Sequence, residues 1–118
     1  MKTFTGSCHC QQVQFEFKCD SLDAGVMCNC SICIRKNAIM SKQTFKPKDF
    51  KITKGQNNLN KYQFGDHDVN HYFCKTCGIY PFHDINIEPY DFRVNLGCVD
   101  DVSSRDLDTF MFDGKNEL

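Results

Sequence analysis

The chain has no tryptophan, three prolines and no apolar run of the length that crosses a bilayer. A membrane-spanning helix needs about 20 consecutive apolar residues. No span is expected, and the opening stretch Met1–Cys8 breaks into polar residues where a signal peptide carries its apolar segment. Charge of one sign is also lacking, since 14 Lys+Arg against 15 Asp+Glu leave a net charge of −1. A near-neutral domain has no overall field to recruit phosphates, so no nucleic-acid partner is expected. With 41% hydrophobic and 25% charged residues, a disordered chain is excluded. The 118 residues suit a single domain spanning 1–118, soluble and cytoplasmic.

Helical periodicity is missing too. Nothing apolar recurs at helical spacing for three turns, and only Ser31 to Lys36 invites a helical turn. Alternation stands in its place: Val13, Phe15, Phe17 and Cys19 interleave with Gln14, Glu16 and Lys18, the period-two pattern of a half-buried strand over Gln12 to Cys19. Shorter alternations mark strands at Val69 to Phe73, at Phe92 to Leu96 and around Tyr62 and Phe64. Turn chemistry separates them, as at Lys46-Pro47-Lys48-Asp49, Lys54-Gly55-Gln56, Phe64-Gly65-Asp66 and Asp113-Gly114. The pattern predicts an all-β domain of short antiparallel sheets. Eleven Phe and four Tyr supply its core, and the lysines at 46, 48, 51 and 54 protect an edge strand.

Nine cysteines are abundant for this length, and their number is odd. In a reducing compartment such thiols usually bind metal. Seven are clustered as Cys8 and Cys10, then Cys28, Cys30 and Cys33, then Cys74 and Cys77, while Cys19 and Cys98 stand alone as small buried residues. Cys74-Lys-Thr-Cys77-Gly78 is a knuckle in which the glycine lets the backbone fold under a metal. The economical division joins Cys8, Cys10, Cys74 and Cys77 in a closed four-thiolate zinc site and leaves Cys28, Cys30 and Cys33 to an open one. The rival arrangement completes the triplet with His9 or His71; a turn residue and a strand residue are the plainer accounts of those two.

The order of these motifs is recognisable. Gly6-Ser-Cys8-His-Cys10, the strand at Val13 and Phe15, Cys28-Asn-Cys30-Ser-Ile-Cys33, Phe73-Cys74-Lys-Thr-Cys77-Gly78, the Val94 to Gly97 strand with Asp100 and Asp101, and Phe112-Asp-Gly114 together resemble the glutathione-dependent formaldehyde-activating enzyme (GFA) family, which includes the centromere protein V group. The resemblance implies a β-tent zinc fold, a structural zinc on Cys8, Cys10, Cys74 and Cys77, a second zinc on Cys28, Cys30 and Cys33, and carbon-sulfur lyase activity. Gln11 stands where the family often has glycine, and no aromatic closely follows Asp113-Gly114.

Three thiolates leave Zn²⁺ a net charge of −1 and a weak Lewis acid toward water, so hydrolysis is disfavoured and a soft thiol is the better fourth ligand. Thiol addition to a small aldehyde, or the reverse carbon-sulfur cleavage, follows, with glutathione and formaldehyde the pair the resemblance implies. Arg35 and Lys36 are read first as solvated charges and second as groups that offset the site's charge or meet a glutathione carboxylate. The alternative is a zinc-stabilised protein-binding module without catalysis.

Overall fold

The computed structural model describes residues 1–118 and consists mainly of short strands. In chain order they are β1 (Lys2–Ser7), β2 (Gln14–Cys19), β3 (Ala24–Cys28), β4 (Met40–Ser41) and β5 (Phe50–Lys54). The second half adds β6 (Leu59–Tyr62), β7 (Val69–Cys74), β8 (Phe82–Ile85), β9 (Phe92–Val94) and β10 (Asp108–Phe112). Two short helices, α1 (Ser31–Lys36) and α2 (Gly114–Glu117), complete the set. The strands form three small sheets in the orders β1-β2-β5, β10-β3-β4 and β6-β7-β8-β9. This is the all-β, β-tent arrangement expected. One pair departs from the antiparallel rule: β10 runs parallel to β3, with Phe112 opposite Cys28.

Phe15, Phe17 and Cys19 on β2 are buried while Lys18 is exposed, as the alternation demands. The strand starts at Gln14 rather than Gln12 because Gln11 adopts a left-handed conformation, φ 65°, that turns the chain. That is the position where the family often has glycine. Val13 nevertheless remains fully buried, so the apolar pattern runs into the turn that carries the first cysteines. Phe15 meets Phe82 edge-on at 5.5 Å, and Phe50 stacks on Phe92 at 4.1 Å, which joins the first sheet to the third through aromatic rings. β5 is the edge strand its lysines announced, although Lys46 and Lys48 precede it beside a 3₁₀ turn, Pro47–Asp49. The Phe92 to Leu96 segment ends as a strand at Val94, and Leu96–Cys98 forms a 3₁₀ turn. β1, β3 and β10 had no clear alternation to announce them.

Candidate metal centre

Two clusters of thiols emerge from this frame. Cys8 follows β1 and Cys74 ends β7, so the first and third sheets deliver one cysteine each, and the adjoining turns deliver Cys10 and Cys77. The four sulfurs lie within 4.8 Å of one another, with 3.7 Å from Cys8 to Cys10 and 3.6 Å from Cys10 to Cys74. A tetrahedron with sulfurs roughly 2.3 Å from a central metal has edges of about 3.8 Å, so the spacing fits a zinc-sized ion. Backbone N–H groups also point at the sulfurs. Val13 donates to Cys8 Sγ at 3.4 Å, and Thr76 and Cys77 donate to Cys74 Sγ at 3.3 and 3.5 Å. The knuckle closes through the Gly78 N–H on the Cys74 carbonyl at 2.9 Å, and Gly78 holds φ 76°, a conformation glycine adopts without penalty.

The electrostatics of this quartet suit a cation among the sulfurs. Burial works to raise the Cys77 thiol, but backbone N–H groups and the Cys10 and Cys74 thiols outweigh it and bring it down to about 6. At Cys10 a backbone hydrogen bond from Gln12 works downward, yet burial and its three thiol neighbours push it up to about 12. Four adjacent sulfurs cannot all ionise by themselves, and a divalent cation among them removes the conflict.

The second cluster hangs from β3. Cys28 is its last residue, Cys30 caps α1, and one helical turn brings Cys33 back so that the three sulfurs lie within 4.8 Å. The turn is held by the Ile34 N–H on the Cys30 carbonyl at 2.9 Å and ends at Asn37, whose φ of 52° is left-handed. A clasp from the C-terminal segment fixes the loop. Asn29 Nδ2 donates to Asp113 Oδ1 at 2.9 Å, and the Lys115 N–H donates to Asn29 Oδ1 at 2.8 Å. Between these, Gly114 lies so close to Cys28 Sγ that a Cβ there would collide with the sulfur. This gives the Asp113-Gly114 motif a physical reason. Burial pushes the Cys33 thiol up to about 12, while at Cys30 burial is outweighed by N–H and thiol donors and the thiol is lowered.

Of the two clusters only the triplet opens onto a cavity of about 590 Å³, whose lining is mostly apolar, with Phe64, Val69, Phe110 and Phe112 among its walls. Lys36, Lys42, Arg93, His71 and His83 supply its charged and polar groups, with Lys42 Nζ 3.9 Å over the Phe110 ring. The sequence reading of Arg35 and Lys36 as a pair divides here. Arg35 is exposed and donates to the Ser31 carbonyl, whereas Lys36 Nζ is sealed from solvent without a hydrogen-bond partner, 4.2 Å over the Tyr80 ring. Burial lowers the Lys36 pKa against the opposing pull of the three thiols. Arg93 Nε is likewise unpartnered, although its Nη2 donates to the Lys42 carbonyl at 3.3 Å.

Neither histidine considered for the triplet joins it. His9 is an exposed turn residue, and the sulfur clusters are made of cysteines alone. His71 is buried on β7 directly opposite His83 of β8, and Tyr80 Oη bridges their Nδ1 atoms at 2.5 and 3.0 Å. Burial, reinforced by Lys36, depresses His71 to about 4 and His83 well below its usual value, so both rings are neutral. Tyr80, His83 and Arg93 were not found from sequence, because their meeting depends on the register of β7, β8 and β9. Cys19 and Cys98 belong to neither cluster; burial raises both, Cys98 to about 12, with Cys8 and Cys77 adding to it there.

The fold and these clusters define a class: a small β domain whose cysteines could hold two metal ions, consistent with zinc. The chain belongs to the glutathione-dependent formaldehyde-activating enzyme (GFA) family, whose sequence profile it matches over residues 3–112. It is also similar to the crystal structure of a Rhodobacter sphaeroides protein determined as a structural genomics target, with a TM-score of 0.78 and 34% identity over 90% of this chain and 99% of that one. The family is named for an enzyme that uses glutathione and formaldehyde. No helix is long and apolar enough to cross a membrane.

Proposed function

We propose that this protein is a zinc-dependent, carbon-sulfur lyase-like enzyme that adds a small thiol to a small aldehyde and reverses that addition, with glutathione and formaldehyde as the first pair to test. The observation that carries the reading is the asymmetry of the clusters: Cys28, Cys30 and Cys33 open onto the large cavity, and Cys8, Cys10, Cys74 and Cys77 do not line it. The quartet is then the structural zinc site and the triplet the reactive one. Zinc bound to three thiolates supplies an open position that favours sulfur and lowers the pKa of an arriving thiol.

The chain's own residues do the rest. Cys28, Cys30 and Cys33 act as ligands and are not consumed. Lys36 Nζ and Arg93 Nε, buried and unpartnered beside the cavity, counter the negative charge of the triplet. The mostly apolar lining offers water few hydrogen-bonding partners beside the aldehyde. The balance is simple: a sulfur-carbon bond forms, the carbonyl π bond opens, and the thiol proton ends on the carbonyl oxygen. With Co²⁺ in place of zinc, the thiolate-to-metal absorption band should grow and shift on adding glutathione, vanish in Cys30→Ser and persist in Cys19→Ser. Oxidised glutathione, lacking a free thiol, is the control. A spectrum indifferent to every small thiol would overturn the reading in favour of a zinc-stabilised protein-binding module.

A further inference from the structure

Thiol addition to a carbonyl transfers one proton from sulfur to oxygen, and an apolar cavity offers few groups to carry it. The structure places one set of such groups there. His71 and His83 form a cross-strand pair on β7 and β8, both line the cavity that holds Cys28, Cys30 and Cys33, and Tyr80 Oη lies between their Nδ1 atoms. A tyrosine hydroxyl has one proton to donate, so it can donate to only one Nδ1 and must accept from the other. That fixes opposite tautomers on the two rings. One ring carries its proton on Nδ1 and presents a basic Nε2; the other carries its proton on Nε2 and is an acid there. Neither Nε2 has a hydrogen-bond partner within the chain, and both residues line the cavity.

We infer that His71, Tyr80 and His83 form a neutral proton relay that takes the proton from the incoming thiol at one imidazole Nε2 and returns it to the carbonyl oxygen from the other. The step balances without charging any residue. The basic Nε2 gains the thiol proton, its ring gives up the Nδ1 proton to Tyr80 Oη, Tyr80 passes its own proton to the second Nδ1, and that ring releases its Nε2 proton to the oxygen of the new hemithioacetal. Both tautomers are exchanged at the end, and cleavage, which runs the chain backward, restores them for the next addition. The arrangement suits its surroundings: Lys36, Lys42 and Arg93 line the same cavity, and a relay that passed through an imidazolium would add a further positive charge beside these cations. Lys36 over the Tyr80 ring holds the phenol in place between the strands.

The relay rests on the function proposed above, and its test keeps the two apart. Nitrogen-15 NMR of histidine-labelled, zinc-loaded protein should show one of the two rings protonated at Nδ1 and the other at Nε2, a pairing lost in Tyr80→Phe. Exchange of ¹³C-formaldehyde with S-hydroxymethylglutathione, followed by magnetisation transfer, should slow about 10²-fold in Tyr80→Phe, the lower end of what general acid–base groups contribute. The glutathione response of the cobalt band should stay unchanged, and the wild-type solvent isotope effect should shrink in the variant. His83→Gln, which hydrogen-bonds but cannot change tautomer, should show the same loss and serves if Tyr80→Phe folds poorly. Two Nε2-protonated rings in the wild type, or normal exchange in both variants with thiol binding intact, would overturn the relay. Correctly paired tautomers in a wild-type protein that neither binds nor exchanges thiols would overturn the proposed function, and the relay's task with it.

Discussion

The two thiol clusters use the same ligand chemistry in opposite structural settings. The quartet is drawn from two distant parts of the chain, with Cys10 and Cys74 64 positions apart, and it sits among buried residues of the core. The triplet comes from six consecutive residues on a strand end and a single helical turn, and it faces a cavity. Closing a long loop through a metal removes much conformational freedom from the unfolded chain, whereas closing a six-residue one removes little. A ligand set of long range therefore stabilises the fold, and a ligand set of short range can be left free to react. The two clusters thus differ in the length of chain each metal would close and in what each faces, and the proposed division into a structural and a reactive site rests on that difference.

The largest effect should come from breaking the quartet. Cys77→Ser leaves a buried set of thiolates without its fourth ligand, and structural zinc contributes on the order of 10 kcal/mol of folding free energy, comparable to the whole stability of a small domain. Soluble yield and the loss of a cooperative thermal transition report it. Cys30→Ser tests the other side of the comparison: the domain should stay folded by circular dichroism, retain one zinc and lose the thiol response. Equal unfolding of both variants would make the triplet structural as well.

Gly114→Ala sharpens the contrast further, because of the two clusters it touches only the triplet, with Leu118 as its other neighbour at 3.1 Å. The new Cβ would press on Cys28 Sγ and would lie 3.1 Å from Cys30 Cβ, so the loop must shift. The fold should survive with a loss of about 1–3 kcal/mol, typical of overpacking, while the triplet metal leaves faster in a timed chelator challenge. Cys19→Ser should do least. Cys19 donates to the Ser21 carbonyl at 3.5 Å, a bond that serine can keep, so a loss of about 1 kcal/mol in chemical denaturation and no change in metal content are expected.

The triplet and the two pairs Cys8, Cys10 and Cys74, Cys77 were legible in sequence because short ligand spacings are local, whereas the meeting of the pairs followed only from the economy of dividing seven thiols as four and three. The β2 strand was legible for the same reason, since Phe15 and Phe17 alternate with polar neighbours. The site's other half was not. Tyr80 and His83 are ordinary residues until strand register sets His83 opposite His71, and Arg93 enters the cavity only because β9 pairs with β8. Lys36 looked like a surface charge because its helix has only one turn, too short for amphipathic periodicity to show which side faces inward. β10, exposed at Phe110, Met111 and Phe112, shows none of the burial alternation of a sheet face, and its parallel pairing with β3 is a long-range event.

The most direct test of the division between clusters is a metal count during a timed chelator challenge, on protein purified without chelator and with circular dichroism recorded in parallel. Two zinc ions per chain are expected, one released early with the fold intact and one released only as the domain unfolds. A single zinc, or two lost together as the fold collapses, would contradict the account.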